Sequence, residues 1–443
     1  MKKLLLLINV MSFLLPVRSQ TWNLGGNSAT NPATDFLGTS DNEPLIFRIN
    51  SQFSGKIDSV SGLTFFGYGA GLNSTTGIQN TAIGFKSLLM NSTGKWNTAN
   101  GFQALNSNTT GIGNSAFGAF SLASNKIGMS NTAIGLYSLY LNTTGEYNTA
   151  DGANALYQNT TGKTNTAVGM NALSANISGN QNTAVGYAAM GDNTTGTNNT
   201  VMGYAVLGFG SGSLSSYNTA IGTGALYNTT NSAYNTAIGY NAGGKYNLGW
   251  NNTILGANCN GSAADQYNII AIGQGVTCPD NSTARIGNSA TWSIGGFANW
   301  TNISDSRFKK DIHENVKGLD FIMKLRPVTY HLDVTGSSKQ VKENGGEEWN
   351  EIMKTAISEK EKIAYSGFMA QEVEQAAKEV GYDFSGVDKP RTKDALYGLR
   401  YAEFVVPLVK AVQELSAQNI ELKKQLEDLQ KRIKKLESPI SKK

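Results

Sequence analysis

Ser304 and Lys309 lie five residues apart in the stretch Ile303-Ser304-Asp305-Ser306-Arg307-Phe308-Lys309-Lys310. A serine hydroxyl attacks a carbonyl carbon once a base takes its proton. A lysine amine is that base only when burial or neighbouring positive charge holds it neutral. Arg307 and Lys310 flank Lys309 and would supply such a field. The reaction open to the pair is cleavage of an adjacent peptide bond. Taken alone, however, the spacing is better explained by Ser304-Asp305 capping the next segment, with Lys309 a solvated charge.

Other chemistries have thinner support. Glycan hydrolysis needs two carboxylates flanking the scissile bond on a rigid face. In residues 1–303, Asp35, Asp41 and Glu43 cluster early, while Asp58, Glu146, Asp151, Asp192, Asp265 and Asp280 share no position that would pair them within one chain. Cys259 and Cys278, 19 residues apart, are too few for a metal centre. In an oxidising compartment they could form a disulfide or remain two thiols, and the spacing leaves both open. His313 and His331 are the only histidines and read as structural or surface residues. No metal and no cofactor is expected.

The elements that must position these residues divide at about residue 304. Residues 1–303 carry 11 basic and 9 acidic side chains with 42 glycines, whereas residues 304–443 carry 25 basic, 23 acidic and 8 glycines. Both parts are close to neutral, so neither is the basic surface that a phosphate backbone needs, and nucleic acid is not expected as a partner. The start, Met1-Lys2-Lys3 followed by an apolar run from Leu4 to Val17 and then Arg18-Ser19, reads as a signal peptide ending at Ser19. Its apolar run is shorter than the roughly 20 residues of a spanning helix. The mature chain is therefore expected to be exported, secreted or held at a cell surface, with no transmembrane segment left.

Thirteen glycines mark an internal repeat: Gly67 to Gly203 in steps of 17, one step of 19 to Gly222, then steps of 17 to Gly273. A typical unit is Asn165-Thr166-Ala167-Val168-Gly169-Met170-Asn171-Ala172-Leu173, followed by an Asn-x-Thr-Gly type of turn. One unit is too small to bury a core, so stacking must do it, with Ala, Ile and Leu in a continuous apolar column and Asn-Thr-Thr-Gly supplying positive-φ turn residues. The expected fold is mainly β, a parallel β-roll or β-solenoid over 63–275. At strand spacing, thirteen turns make a rod of about 60 Å. The small interior residues suggest that three chains pack side by side. The many Asn-x-Thr sequons are read as structural rather than as glycan sites.

Residues 20–62, with short apolar runs such as Leu45-Ile46-Phe47, read as a β cap on the first coil or as a receptor-binding tip. Residues 276–303 form a neck. The repeat units resemble the head repeats of trimeric autotransporter adhesins, which implies a trimeric left-handed parallel β-roll. The common unit of that family is a few residues shorter, which makes Asn-Thr-Thr-Gly an enlarged loop. The C-terminus here is charged and helical rather than a membrane barrel, so self-export is not expected.

Downstream lie Gly318-Leu319-Asp320-Phe321-Ile322, Leu325-Arg326-Pro327-Val328-Thr329-Tyr330, Gly367-Phe368-Met369-Ala370-Gln371-Glu372-Val373-Glu374 and Tyr401-Ala402-Glu403. In this order they resemble the intramolecular chaperone and autoprocessing domain at the C-terminus of phage tailspikes and endosialidases. The resemblance implies a small α+β domain over 304–401 that assembles three chains and then cuts itself off. It implies a catalytic dyad of Ser304 and Lys309, a cut between Ile303 and Ser304, and orienting or folding roles for Asp305, Gln371 and Glu372 beside Arg307.

From 402 to 437, Val405, Val412, Asn419, Leu426 and Ile433 share one heptad position, and Leu408, Leu415, Leu422, Leu429 and Leu436 the other. This reads as a coiled coil whose Asn419 fixes register, before a short tail at 438–443; the rival is one helix folding back on its own domain. The expected protein is an exported homotrimeric fibre, structural or adhesin-like, with surface glycan or a host receptor as candidate ligand and single-turnover serine self-cleavage as its only enzymology. The alternative is a tail-fibre-like protein that binds or degrades glycan and retains an uncut trimerisation domain.

Overall fold

A computed structural model describes residues 28, 30–31, 36–208, 214–297 and 300–437. The signal-peptide reading of 1–19 and the tail at 438–443 lie outside the described residues, as do residues 20–27 of the N-terminal segment. Among the described residues, no helix is long and apolar enough to cross a membrane.

The solenoid is built one three-residue strand per turn. Thr166–Val168 pairs in parallel with Thr183–Val185, residue on equivalent residue, and the same register runs from Leu63–Phe66 to Ala284–Ile286. Two antiparallel strands, β1 (Leu45–Ile49) and β2 (Gln52–Asp58), precede β3 (Leu63–Phe66) and complete a 16-stranded sheet. The turn into β3 is pinned by Asp58, which accepts from the Val60 and Ser61 amides, both at 3.1 Å, and from Lys56 Nζ at 2.8 Å. These donors hold its carboxyl below the usual carboxylate range, with the Lys56 bond the largest cause. Phe65 replaces the usual alanine in the first turn and fills the end of the core.

Strand alternation sends only the middle residue of Thr-Ala-Ile inward. The apolar core is therefore mostly two residue types, alanine (Ala82, Ala99 and Ala116 in the strands, Ala104, Ala155 and Ala172 just before the leucines) and leucine (Leu88, Leu105, Leu122), all fully buried. The isoleucine expected in the apolar column faces outward instead: Ile83 and Ile134 are each 42% exposed. The third inward component is polar. Asn97 donates from its backbone N–H and its Nδ2 to Asn80 Oδ1 at 2.9 and 3.2 Å, and from Nδ2 to the Gly111 carbonyl at 2.9 Å. Asn108 Nδ2 likewise reaches Asn91 Oδ1 at 2.8 Å in a second ladder.

The asparagines of Asn-Thr-Thr-Gly are thus buried in the core while still closing their turns, Asn142 Nδ2 donating to the Gly145 carbonyl at 3.1 Å. Burial closes the sequons at Asn142 and Asn159 to glycans. Positive φ falls elsewhere than expected, on the core leucines (Leu139 at φ 50) and on the repeat glycines. Gly84, at φ +125, explains why glycine recurs at this position, since a Cβ there would meet the Gly101 carbonyl oxygen of the next turn at 2.5 Å.

The C-terminal domain is α+β. Helices α1 (Leu319–Ile322), α2 (Val334–Gln340), α3 (Glu351–Glu361) and α4 (Ala370–Glu379) surround an antiparallel pair, Val328–His331 with Ala364–Gly367. Phe321, Val373, Ala376, Ala377, Phe384 and Phe404 form its core. A last helix, α5 (Val405–Glu437), packs only its first turns on α1, where the Leu319 amide donates to Glu414 Oε2 at 2.7 Å. Its heptad seam, including Leu408, Leu415, Leu422 and Leu429, is exposed, so the helix does not fold back on its own domain.

Candidate functional site

The described residues just before the domain are open to solvent, with Trp300 82% and Ile303 93% exposed. A single 3-10 turn, Ser306–Phe308, then reverses the chain. Asp305 caps it, accepting from the Arg307 amide at 2.9 Å. The turn brings Lys309 back over Ser304, and Lys309 Nζ donates to Ser304 Oγ at 2.8 Å. The two residues assigned to nucleophile and base therefore touch, beside the Ile303–Ser304 bond. The capping reading of this segment is also realised, through Asp305 rather than Ser304.

Arg307 does not supply the field expected of it. Its guanidinium forks onto the Asp305 carboxylate, with Nε at 3.1 and 3.0 Å from the two oxygens and Nη2 at 2.5 Å. The pair neutralises itself, lowering the Asp305 pKa and raising that of Arg307 through their shared hydrogen bonds. Ser304 and Lys309 are both exposed in the single chain.

Gln371 and Glu372 stand at the start of α4, and among the described residues no hydrogen bond or ion pair joins them to Ser304 or Lys309. Glu372 is held by Arg326, with Nε at 3.1 Å from Oε2 and Nη2 at 2.5 Å from Oε1. That bond ties the Leu325-Arg326-Pro327 stretch to Ala370-Gln371-Glu372, a positioning contact that the one-dimensional reading missed. The remaining motifs meet in the same way. Phe321 lies in the core, Phe368 stacks on Phe404 at 5.4 Å between ring centroids, and the Phe368 amide donates to Tyr401 Oη at 3.2 Å.

Cys259 and Cys278 are buried free thiols near the end of the rod, so the structure contains no bridge between them. Burial, reinforced by the neighbouring Cys278, pushes the Cys259 thiol up to about 12. Burial also raises Cys278. His313 and His331 are exposed. Among the described residues no three His, Cys, Asp or Glu side chains gather as metal ligands. The rod carboxylates stay apart, Glu146 pairing with Lys163 at 3.1 Å and Asp151 standing exposed on its strand.

Among the described residues, two apolar surfaces left uncovered in the single chain bear on assembly. One is the α5 seam. The other runs along the rod beside most of the repeat glycines and includes Ile83, Phe85, Ile134, Leu136, Ile238 and Tyr240.

Compared with known proteins, residues 304–382 match the family described as chaperone of endosialidase. Neither a curated protein nor a solved structure gives a significant match to the chain. The match begins at Ser304, at the joint just described, and it fits a domain that brings chains together as trimers. Residues 304–382 are thus a chaperone-of-endosialidase domain, carried behind a parallel β-solenoid of 17-residue repeats in the arrangement of a tail-fibre-like protein.

Proposed function

We propose that this chain is the precursor of an exported homotrimeric fibre, adhesin-like or structural, whose C-terminal domain assembles three copies and then severs itself between Ile303 and Ser304. The observation that carries the cleavage reading is the 2.8 Å contact of Lys309 Nζ with Ser304 Oγ at an exposed joint. In the proposed reaction, Lys309 takes the hydroxyl proton and Ser304 Oγ attacks the Ile303 carbonyl carbon. The Ile303–Ser304 amide bond breaks as the nitrogen leaves with that proton, and an ester joins Ile303 to Ser304 Oγ. Water then hydrolyses the ester, leaving an Ile303 carboxylate and a free Ser304 amine.

Support for the trimer comes from the two uncovered apolar surfaces, since contiguous exposed apolar area on a folded chain marks an interface. The residue before each repeat glycine is apolar from Phe66 to Ile272 except at Asn100 and Asp151. The seam of α5 is the matching clamp, and it addresses a register problem. A rod that repeats every 17 residues can pair one turn out of step unless its ends are set first.

Assembly and cleavage are coupled in this reading. A lysine acts as general base only where burial or neighbouring positive charge holds its amine neutral, and Arg307 is already paired with Asp305. The pair is open in one chain, so the neighbouring chains must cover it. The test is intact mass and denaturing gel analysis of protein lacking residues 1–19, wild type beside Ser304→Ala and Lys309→Ala. Wild type splitting to a C-terminal fragment of 140 residues, with both variants intact, is expected. A trimeric but uncut wild type would leave the domain as a permanent clamp and sink the self-cleavage reading.

A further inference from the structure

The C-terminal domain is fastened to the rod by more than the peptide chain. Asn344 donates its backbone N–H to the Gly275 carbonyl at 2.7 Å, and its Oδ1 accepts from Asn258 Nδ2 at 3.0 Å. Thr277 Oγ1 donates to the Lys342 carbonyl at 3.0 Å. Glu343, only 7% exposed, accepts the Ser289 amide on both carboxylate oxygens at 3.1 Å and Ser338 Oγ at 2.9 Å. Lys360 Nζ donates to the Ser289 and Thr291 carbonyls at 2.8 and 2.7 Å. Ala290 of the neck shares a small apolar cluster with Val334 and Ile357, against which Trp349 packs.

The rod end is shaped for this occupant. Gly275 holds φ +65, and the space its side chain would take is filled by Trp349 and Asn344. The last turns would otherwise present open strand edges and unpaired carbonyls, the liability that every solenoid end must cover. Burying Glu343 is tolerable only while it keeps its partners, because an unpartnered buried charge is strongly destabilising, and half-buried Lys360 adds two charge-assisted bonds beside it.

Every rod-side partner in this contact precedes Ile303, and every domain-side partner follows Ser304. We propose that residues 334–361 are a built-in cap for the C-terminal end of the rod, so that the domain stays bound without a covalent link once the chain is cut. The surface binds one partner, this chain's own C-terminal fragment. The inference rests on the self-cleavage reading only for the natural occasion of the cut. An insertion between Gly295 and Gly296 meets open space, since nothing lies within 4 Å of where side chains there would point.

The test separates the two claims. In full-length Ser304→Ala protein, which removes self-cleavage, a recognition sequence for a specific protease is inserted between Gly295 and Gly296 and cut under native conditions. The two fragments are expected to co-elute on size exclusion, and the amides of Ser289 and Asn344 to remain slow in hydrogen exchange after the cut. Asn344→Ala with Trp349→Ala and Lys360→Ala is expected to lose co-elution while the rod keeps its β circular-dichroism signal. Separation of the fragments with wild-type contacts, or fast exchange at both amides after the cut, would overturn the cap. Co-elution surviving in the triple variant would overturn it as well.

Discussion

The rod and the C-terminal domain solve the burial problem in opposite ways. In the rod most turns repeat the same core residues, so that alanine, leucine and asparagine mostly meet their own kind above and below, with Phe65, Met190, Val201 and Ile254 as exceptions. Away from the C-terminal end, where Asn258, Gly275 and Thr277 bond the following domain, each turn bonds chiefly its neighbours, so damage should stay local. In the C-terminal domain, Phe321, Val373, Phe384 and Phe404 come from widely separated stretches and meet once, so loss of one anchor should be felt throughout. The contrast explains a division of labour. A repetitive rod makes a long surface cheaply but carries little information about register, whereas a non-repetitive domain specifies one arrangement and can set the register for the rest.

The largest effect expected from this contrast is on assembly. Leu415→Asp with Leu422→Asp puts charge into the α5 seam, and light scattering should show loss of the trimer together with loss of the 140-residue fragment on a denaturing gel. Cleavage persisting in that variant would break the coupling. Next in size is Phe321→Ala, which should cost about 3–5 kcal/mol and melt the C-terminal domain as a unit, read as a shifted thermal transition. Leu139→Ala in the rod should fall toward the low end of about 2–5 kcal/mol and remain confined, in hydrogen exchange, to its own and adjacent turns.

Smaller again is Asn148→Ala. It removes the Nδ2 donations to Asn131 Oδ1 at 3.1 Å and to the Gly162 carbonyl at 2.8 Å, and the Oδ1 that accepts from Asn165. An unsatisfied buried group costs about 1–3 kcal/mol, so the rod transition should drop modestly without loss of the fold. The smallest effect concerns the thiols. With Cys259 buried and its thiol pushed up to about 12, alkylation at pH 8 should leave both cysteines unmodified in the native protein and modify both after denaturation. Native labelling, or a mass two hydrogens short, would contradict the free buried thiols.

Much of this was legible in one dimension. The glycine period announced the stacking because a Cβ has no room where Gly84 meets Gly101, so spacing and structure are one fact. Less legible was the phase of the strand. Thr-Ala-Ile alternates whichever residue points inward, and only the three-dimensional coil decides that alanine is inside and isoleucine outside. The asparagines read as turn formers because that is their commonest role, and here a 17-residue repeat also lets each amide find its equivalent, which makes burial affordable.

In the C-terminal domain, the separated motifs marked the core and the Ser304–Lys309 contact. The Asp305 fork on Arg307 removed a charge that spacing alone had assigned to Lys309. The rod-end contact was invisible in the sequence, since Ser289 and Lys360 are 71 residues apart and Pro279 and Thr392 are 113 apart. No local pattern encodes such pairs.

The measurement that tests the central claim most directly is a refolding time course of wild-type protein lacking residues 1–19, with native molar mass and denaturing fragment mass read on the same samples. The account predicts that fragments cut before Ser304 arise only in species of trimer mass, after the trimer has formed. Fragments appearing in monomeric species, or trimers that never cut, would contradict it.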